Sequence, residues 1–177
     1  MCAGCEWTTT TRSPPSSTPG GATSIQPCLT SELRLSAGPD VSEATEQRTF
    51  VIRLTNRGQT TCFLRGYPTI RLVDGHGNPM RFQITRSGDQ MVTSRRPSRV
   101  DVRSNGSAFV ALNKNSCPDG GSGLARIAYL SLPANPRTMK LWLPLLDWSF
   151  CGGGRLDPLS TFHMSPFEPT FADTMAH

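Results

Sequence analysis

FVIRLTNRGQTTCFLRGYPTIRLVD, residues 50–74, alternates apolar and polar side chains around a polar turn, a cysteine and a Gly-Tyr-Pro corner. From Arg48 to Thr55, Phe50, Ile52 and Leu54 fall on one side of an extended chain. Thr49, Val51, Arg53 and Thr55 fall on the other, the period-two pattern of a half-buried strand. Asn56-Arg57-Gly58 ends it, since Asn and Gly tolerate the left-handed backbone of a tight turn. Cys62, Phe63 and Leu64 begin a second extended run. After Gly66-Tyr67-Pro68 a third continues, with Ile70 and Leu72 inward and Arg71 outward. A tyrosine at a sandwich corner commonly hydrogen-bonds backbone and fixes a crossover between sheets, and that role is expected of Tyr67. A binding role would instead need its ring exposed beside other aromatics.

Outward from this stretch the same grammar repeats. Leu33 and Leu35 alternate with Glu32, Arg34 and Ser36 ahead of a Gly38-Pro39-Asp40 turn. Asp74 to Pro79 is a hairpin turn. Its Asp, His76 and Asn78 lack the further carboxylates and the downstream bidentate acid of a calcium loop. Strands are expected at Met80–Thr85, Arg99–Arg103, Ser107–Leu112 and Leu124–Leu132, with a loop over residues 86–97 and a tight turn at Asn105-Gly106. Pro133 to Arg137 turns the chain. Met139, Leu141 and Leu143 then alternate inward, with Trp142 on the opposite face. Leu145, Leu146 and Trp148 lead to Phe150-Cys151, Gly152-Gly153-Gly154 turns, and Thr161–Met164 reads as a last short edge strand. Many short strands and no amphipathic helix imply an all-β fold, an immunoglobulin-like antiparallel β-sandwich of about eight strands. The sandwich is expected over residues 27–165, after a flexible Ser/Thr/Pro-rich leader (1–26) and before a loose tail (166–177).

Composition agrees. The 177 residues include 16 glycines and 15 prolines, with 36% hydrophobic residues. That balance favours turns over long helices. The net charge of +5 is carried almost entirely by arginine, Lys114 and Lys140 being the two lysines. The arginines are scattered and not interleaved with aromatics, which argues against a nucleic-acid partner. Six cysteines are informative: Cys2 and Cys5 lie in the leader, and Cys28, Cys62, Cys117 and Cys151 in the body. No CxxC spacing occurs in the body, and His76, His163 and His177 complete no zinc pattern, so no metal or cofactor site is assigned. The body cysteines read as two disulfides in an oxidising compartment; the alternative is four buried thiols in a reducing one. Ala3-Gly4-Cys5 has the small-small-cysteine ending of a bacterial lipoprotein signal, although the charged and apolar regions of such a signal do not precede it. Cys5 is therefore the lipidation candidate. A lipid there would anchor the protein to a membrane without a spanning helix.

The run Leu54-Thr55-Asn56-x-Gly58, then x-Thr61-Cys62-x-Leu64-x-Gly66-Tyr67-Pro68, followed by Leu72-Val73-Asp74, resembles the domain of unknown function 4232 family. Cys28, Gly77 and the late cysteines at 117 and 151 extend the likeness over roughly residues 26–165. That family comprises exported proteins and lipoprotein domains of actinobacteria. The resemblance implies a β-sandwich, an extracytoplasmic location and no assigned activity, and it supplies no catalytic residues. One departure is Arg103-Ser104-Asn105-Gly106, which stands where the family has a Pro-Gly segment but keeps a glycine turn. The preferred disulfide pairing is Cys28–Cys62 with Cys117–Cys151, each closing a loop of similar length; crossed pairings satisfy the same count.

For enzymatic chemistry the chain offers little. There is no G-x-S-x-G elbow. Gly121-Ser122-Gly123 has no identifiable base, and His163 has only Asp157 or Glu168 as carboxylate neighbours to draw on. The reading is an exported cell-envelope protein, secreted or membrane-anchored. It is a non-enzymatic binding or structural module whose partner the sequence does not identify, an envelope protein and a glycan being the candidates. The alternative is a carbohydrate- or small-ligand-binding module using exposed aromatics, with Trp142 as the surface candidate, and a hydrolase stands behind both.

Overall fold

The computed structural model describes Met1 and residues 24–39, 41, 46–118, 121–133, 135–143, 149–151 and 158–176. Cys2, Cys5 and most of the leader lie outside the described residues, as do Asp40, Leu145, Leu146, Trp148, Gly152-Gly153-Gly154, Asp157 and His177. The fold is mostly β, with 49% strand and 7% helix, and has about 11 strands rather than eight.

The strands are β1 (Gln26–Pro27), β2 (Leu33–Ala37), β3 (Gln47–Asn56), β4 (Cys62–Arg65), β5 (Thr69–Val73) and β6 (Gln83–Thr85). They continue as β7 (Arg99–Val102), β8 (Ser107–Asn115), β9 (Ile127–Leu132), β10 (Asn135–Trp142) and β11 (Thr161–Met164). One sheet of five strands has the order β2-β3-β8-β11-β6, and two sheets of three have the orders β1-β4-β7 and β10-β9-β5. One apolar core joins them: Ile52, Leu54, Val110 and Phe162 from the first sheet, Leu64 and Val102 from the second, Leu72, Leu130 and Leu141 from the third. The alternation of residues 50–74 is realised as read, with Phe50, Ile52 and Leu54 in that core.

Two features depart from an antiparallel sandwich. β1 pairs parallel to β4, and β11 pairs parallel to β6 while running antiparallel to β8. Thr161–Met164 is thus an interior strand, not an edge, and its Phe162 and Met164 are buried on the core face. The turn expected at Pro133–Arg137 is shorter. β10 already begins at Asn135 and shifts register between Asn135 and Thr138, on an edge strand where Pro136 breaks no ladder.

The largest correction concerns the end of the chain. Instead of a loose tail, residues 166–176 form the cover of the five-stranded sheet. Phe167 has no exposed surface and its amide donates to the Gly66 carbonyl at 3.0 Å. Glu168 exchanges two backbone hydrogen bonds of 2.9 Å with Phe109 of β8. A short helix α1 (Phe171–Thr174) follows, capped by the Thr170 hydroxyl and tied to the 86–97 loop by a 2.6 Å Arg95–Asp173 ion pair. Val51 and Ala111, on the face of β3 and β8 away from the main core, are buried with Val92 of that loop. Phe109, Phe171 and Met175 pack against this second cluster. The side of β3 that sequence alone leaves to solvent is therefore covered by a loop and a C-terminal strap.

Both disulfides form in the sequential pairing, Cys28–Cys62 and Cys117–Cys151, each across a separation of 34 residues. The first ties β4 to the start of the domain inside the main core. No helix among the described residues is long and apolar enough to cross a membrane.

Candidate functional site

The outer face of the β5-β9-β10 sheet carries the best-formed candidate surface. Its inner face is fixed by Leu72, Ala128, Leu130 and Leu141 in the core, and the pleat turns the intervening residues outward. Pairing registers Arg71 opposite Tyr129 and Tyr129 opposite Lys140, so the three side chains form one row across the sheet. Thr69, Ser131 and Thr138 make a second row, and Trp142 ends a third whose other members, Ile127 and Val73, are buried. Trp142 is 64% exposed, as its alternation with Leu141 and Leu143 predicts.

Each aromatic ring on this face carries a cation. The Arg71 guanidinium lies 4.8 Å from the Tyr129 ring centroid and the Lys140 ammonium 4.2 Å from that of Trp142. The ring quadrupole attracts a cation without using its N–H donors, so both heads stay free to pair outward. Among the described residues neither Arg71 nor Lys140 has a carboxylate within ion-pair distance. β5, β9 and β10 contain Arg71, Arg137 and Lys140 and no Asp or Glu. By contrast Arg99, stacked 4.4 Å from Phe63 on a neighbouring sheet, is paired with Asp101 at 2.6 Å.

Among the described residues, the polar side chains that sequence offered for chemistry are not brought together. Asp74 spends its carboxylate inside its own turn, accepting from the amides of His76 and Asn78 at 2.8 Å each and from the Asn78 side chain at 2.9 Å. These hydrogen bonds, the Asn78 side chain foremost, hold its carboxyl below the usual range. Ser122 donates its hydroxyl to the Phe150 carbonyl at 3.1 Å. His163 faces the hydroxyls of Thr85 and Ser87, at 3.3 and 3.4 Å from Nδ1. Tyr67 departs from its expectation. It is half-buried against the core with Arg86 5.9 Å from its ring centroid, and among the described residues its hydroxyl makes no backbone hydrogen bond. The corner is held instead by Gly66, whose φ of 88° suits glycine and whose carbonyl receives Phe167. Beside the first disulfide lies a cavity of about 690 Å³, bounded by Pro27, Cys28, Leu29, Glu32 and Asn135, with no aromatic ring in its wall.

Glu168 is a buried acid on the C-terminal strap. Burial raises its carboxyl above the ordinary value and the nearby Asp173 adds to this, while Arg95 opposes. The folded protein therefore holds this proton more tightly than the unfolded chain does. The stability that brings is complete below the unfolded carboxylate range and is lost as pH rises through the folded value. Glu168→Gln keeps the neutral form at every pH. Urea melts should show the variant equal to the parent near pH 3.5 and more stable near pH 7, both sides of the free carboxylate value of about 4.3. A variant less stable at neutral pH would show that the carboxylate is needed ionised.

The row Arg71–Tyr129–Lys140 escapes sequence reading because β5 lies more than fifty residues before the β9–β10 hairpin it joins. The alternation around Arg71 and Trp142 gave the local signals. No curated protein and no solved structure matches the chain. The model of a family described as a domain of unknown function (DUF4232) matches residues 28–156. That match covers more than half of the chain, and the chain belongs to the DUF4232 family.

Proposed function

We propose that this chain is an exported, non-enzymatic binding module of the cell envelope, with the outer face of β5-β9-β10 as its ligand surface and a carbohydrate as its ligand class. The observation that carries this reading is Trp142, an indole left 64% exposed at the end of β10. Holding that much apolar ring in water costs free energy that a stacked sugar ring would recover. The two disulfides support export, since such bonds persist in oxidising compartments. Lipid attachment at Cys5 would keep the module at a membrane surface, with the Ser/Thr/Pro-rich leader as tether. A non-enzymatic role is supported by the engagement of Asp74, Ser122 and His163 in turn and strand hydrogen bonds.

Glycan-array binding by the full chain tests this. Trp142→Ala should reduce binding to any retained glycan about tenfold, the scale of one lost aromatic contact, with an unchanged melting temperature because the ring is exposed. Retention of binding by the variant, or no glycan bound by the parent, would overturn the assignment.

A further inference from the structure

Resting on that reading, we infer that the face is built for an acidic polysaccharide, one whose sugar rings carry carboxylates, as uronic acids do. Three observations lead there. The face is cationic: Arg71 and Lys140 stand on strands that hold no acid, and neither has a carboxylate partner among the described residues. The cations are also pre-ordered, Arg71 on Tyr129 and Lys140 on Trp142, so less side-chain entropy is lost when an anion arrives. Finally, stacking surface and charge lie side by side, the Lys140 ammonium being 4.2 Å from the Trp142 ring centroid.

That adjacency selects among polyanions. A uronic acid bears its carboxylate on the pyranose ring, so one sugar can stack on exposed indole and reach the neighbouring cation. A phosphodiester polymer carries its charge on the linker between units, so the ring that stacks is not the ring that bears the charge. The spacing along the row fits as well. Arg71 and Lys140 flank Tyr129 on adjacent strands, which sets their backbones roughly 10 Å apart. A polymer lying across the strands would pass both cations and could offer a carboxylate to each. Arg71 adds a planar fork that takes a carboxylate through two parallel hydrogen bonds.

Calorimetry or affinity electrophoresis of the full chain against polygalacturonate tests this, with methyl-esterified polygalacturonate, pullulan and a single-stranded DNA oligomer as comparison polymers. Polygalacturonate should bind most tightly and weaken as salt is raised, because exposed pairs are screened over about 10 Å at 0.1 M ionic strength. R71Q/K140Q should lose roughly tenfold in affinity, from two exposed ion pairs, and should fall to the level of the parent with the methyl ester. R34Q/R103Q removes the same charge from exposed arginines outside this face and should bind like the parent. Equal binding by R71Q/K140Q and the parent, or DNA bound as well as polygalacturonate, would overturn the inference. If the methyl ester or pullulan binds equally well and depends on Trp142, the acidic ligand falls while the carbohydrate-binding reading stands. If no polysaccharide binds, both fall.

Discussion

Removing the Cys28–Cys62 bridge by a double Cys→Ala exchange lowers the unfolding free energy by roughly 3–4 kcal/mol in the chain-entropy account of disulfides. The bond closes a separation of 34 residues, and without it the unfolded chain regains the freedom of that loop. Total stabilities of single domains are about 5–15 kcal/mol, so the change is a large fraction of what holds this fold together. Cys117–Cys151 closes the same separation, so loop entropy alone predicts equal losses. Native packing separates the two. Cys28 and Cys62 are 1% and 4% exposed inside the main core, whereas Cys151 is only half-buried. Serine at 28 and 62 would add two hydroxyls to an apolar site, and C28S/C62S should be less stable than C28A/C62A. Urea unfolding of C28A/C62A, C28S/C62S and C117A/C151A, with m-values fitted freely, measures both comparisons. A loss below about 1 kcal/mol for C28A/C62A would mean that loop entropy is not what this bond supplies.

What sequence could and could not reveal divides along the range of the interactions. Alternation through Phe50, Ile52 and Leu54 is local, and it set the core face of β3 correctly. Turn chemistry is local too. Asp74 folds its own hairpin with hydrogen bonds to His76 and Asn78, and Asn105 takes the positive φ of 59° expected before glycine. The failures are all matters of partner choice. β1 contains a proline and is only two residues long, so its parallel pairing with β4 leaves no period to read. β11 reads as an edge because prolines surround it, yet it sits between β8 and β6. Tyr67 has the sequence of a tyrosine corner, but its hydroxyl is not what closes it. The strap that does so arrives from a hundred residues downstream, through Phe167 and the Gly66 carbonyl.

The candidate surface follows the same division. Trp142 was visible because its exposure is dictated by its own strand, one residue out of phase with Leu141 and Leu143. Arg71 was visible only as an outward arginine. Its union with Tyr129 and Lys140 depends on two strand pairings: β9 with β10 is a local hairpin, but no spacing in the chain encodes that of β5 with β9. In a β-sandwich the binding face is a property of register.

Phe167→Ala is expected to cost about 3–5 kcal/mol, the range for a large aromatic removed from a packed interior. The ring has no exposed surface and belongs to the main core, although it lies beyond both the last strand and the matched family span. Its loss also loosens what it anchors: Glu168 pairs with Phe109 one residue on, and α1 closes over Val51, Val92 and Ala111. Phe171→Ala provides the comparison. That ring is only half-buried against the smaller cluster, so its removal should cost distinctly less. Hydrogen exchange distinguishes global from local loss. If the strap is integral, Phe167→Ala lowers protection in β3 and β8 as well as in residues 166–176. Were the loss below about 1 kcal/mol and confined to residues 166–176, the strap would be an accessory cover, and the sandwich would close without it.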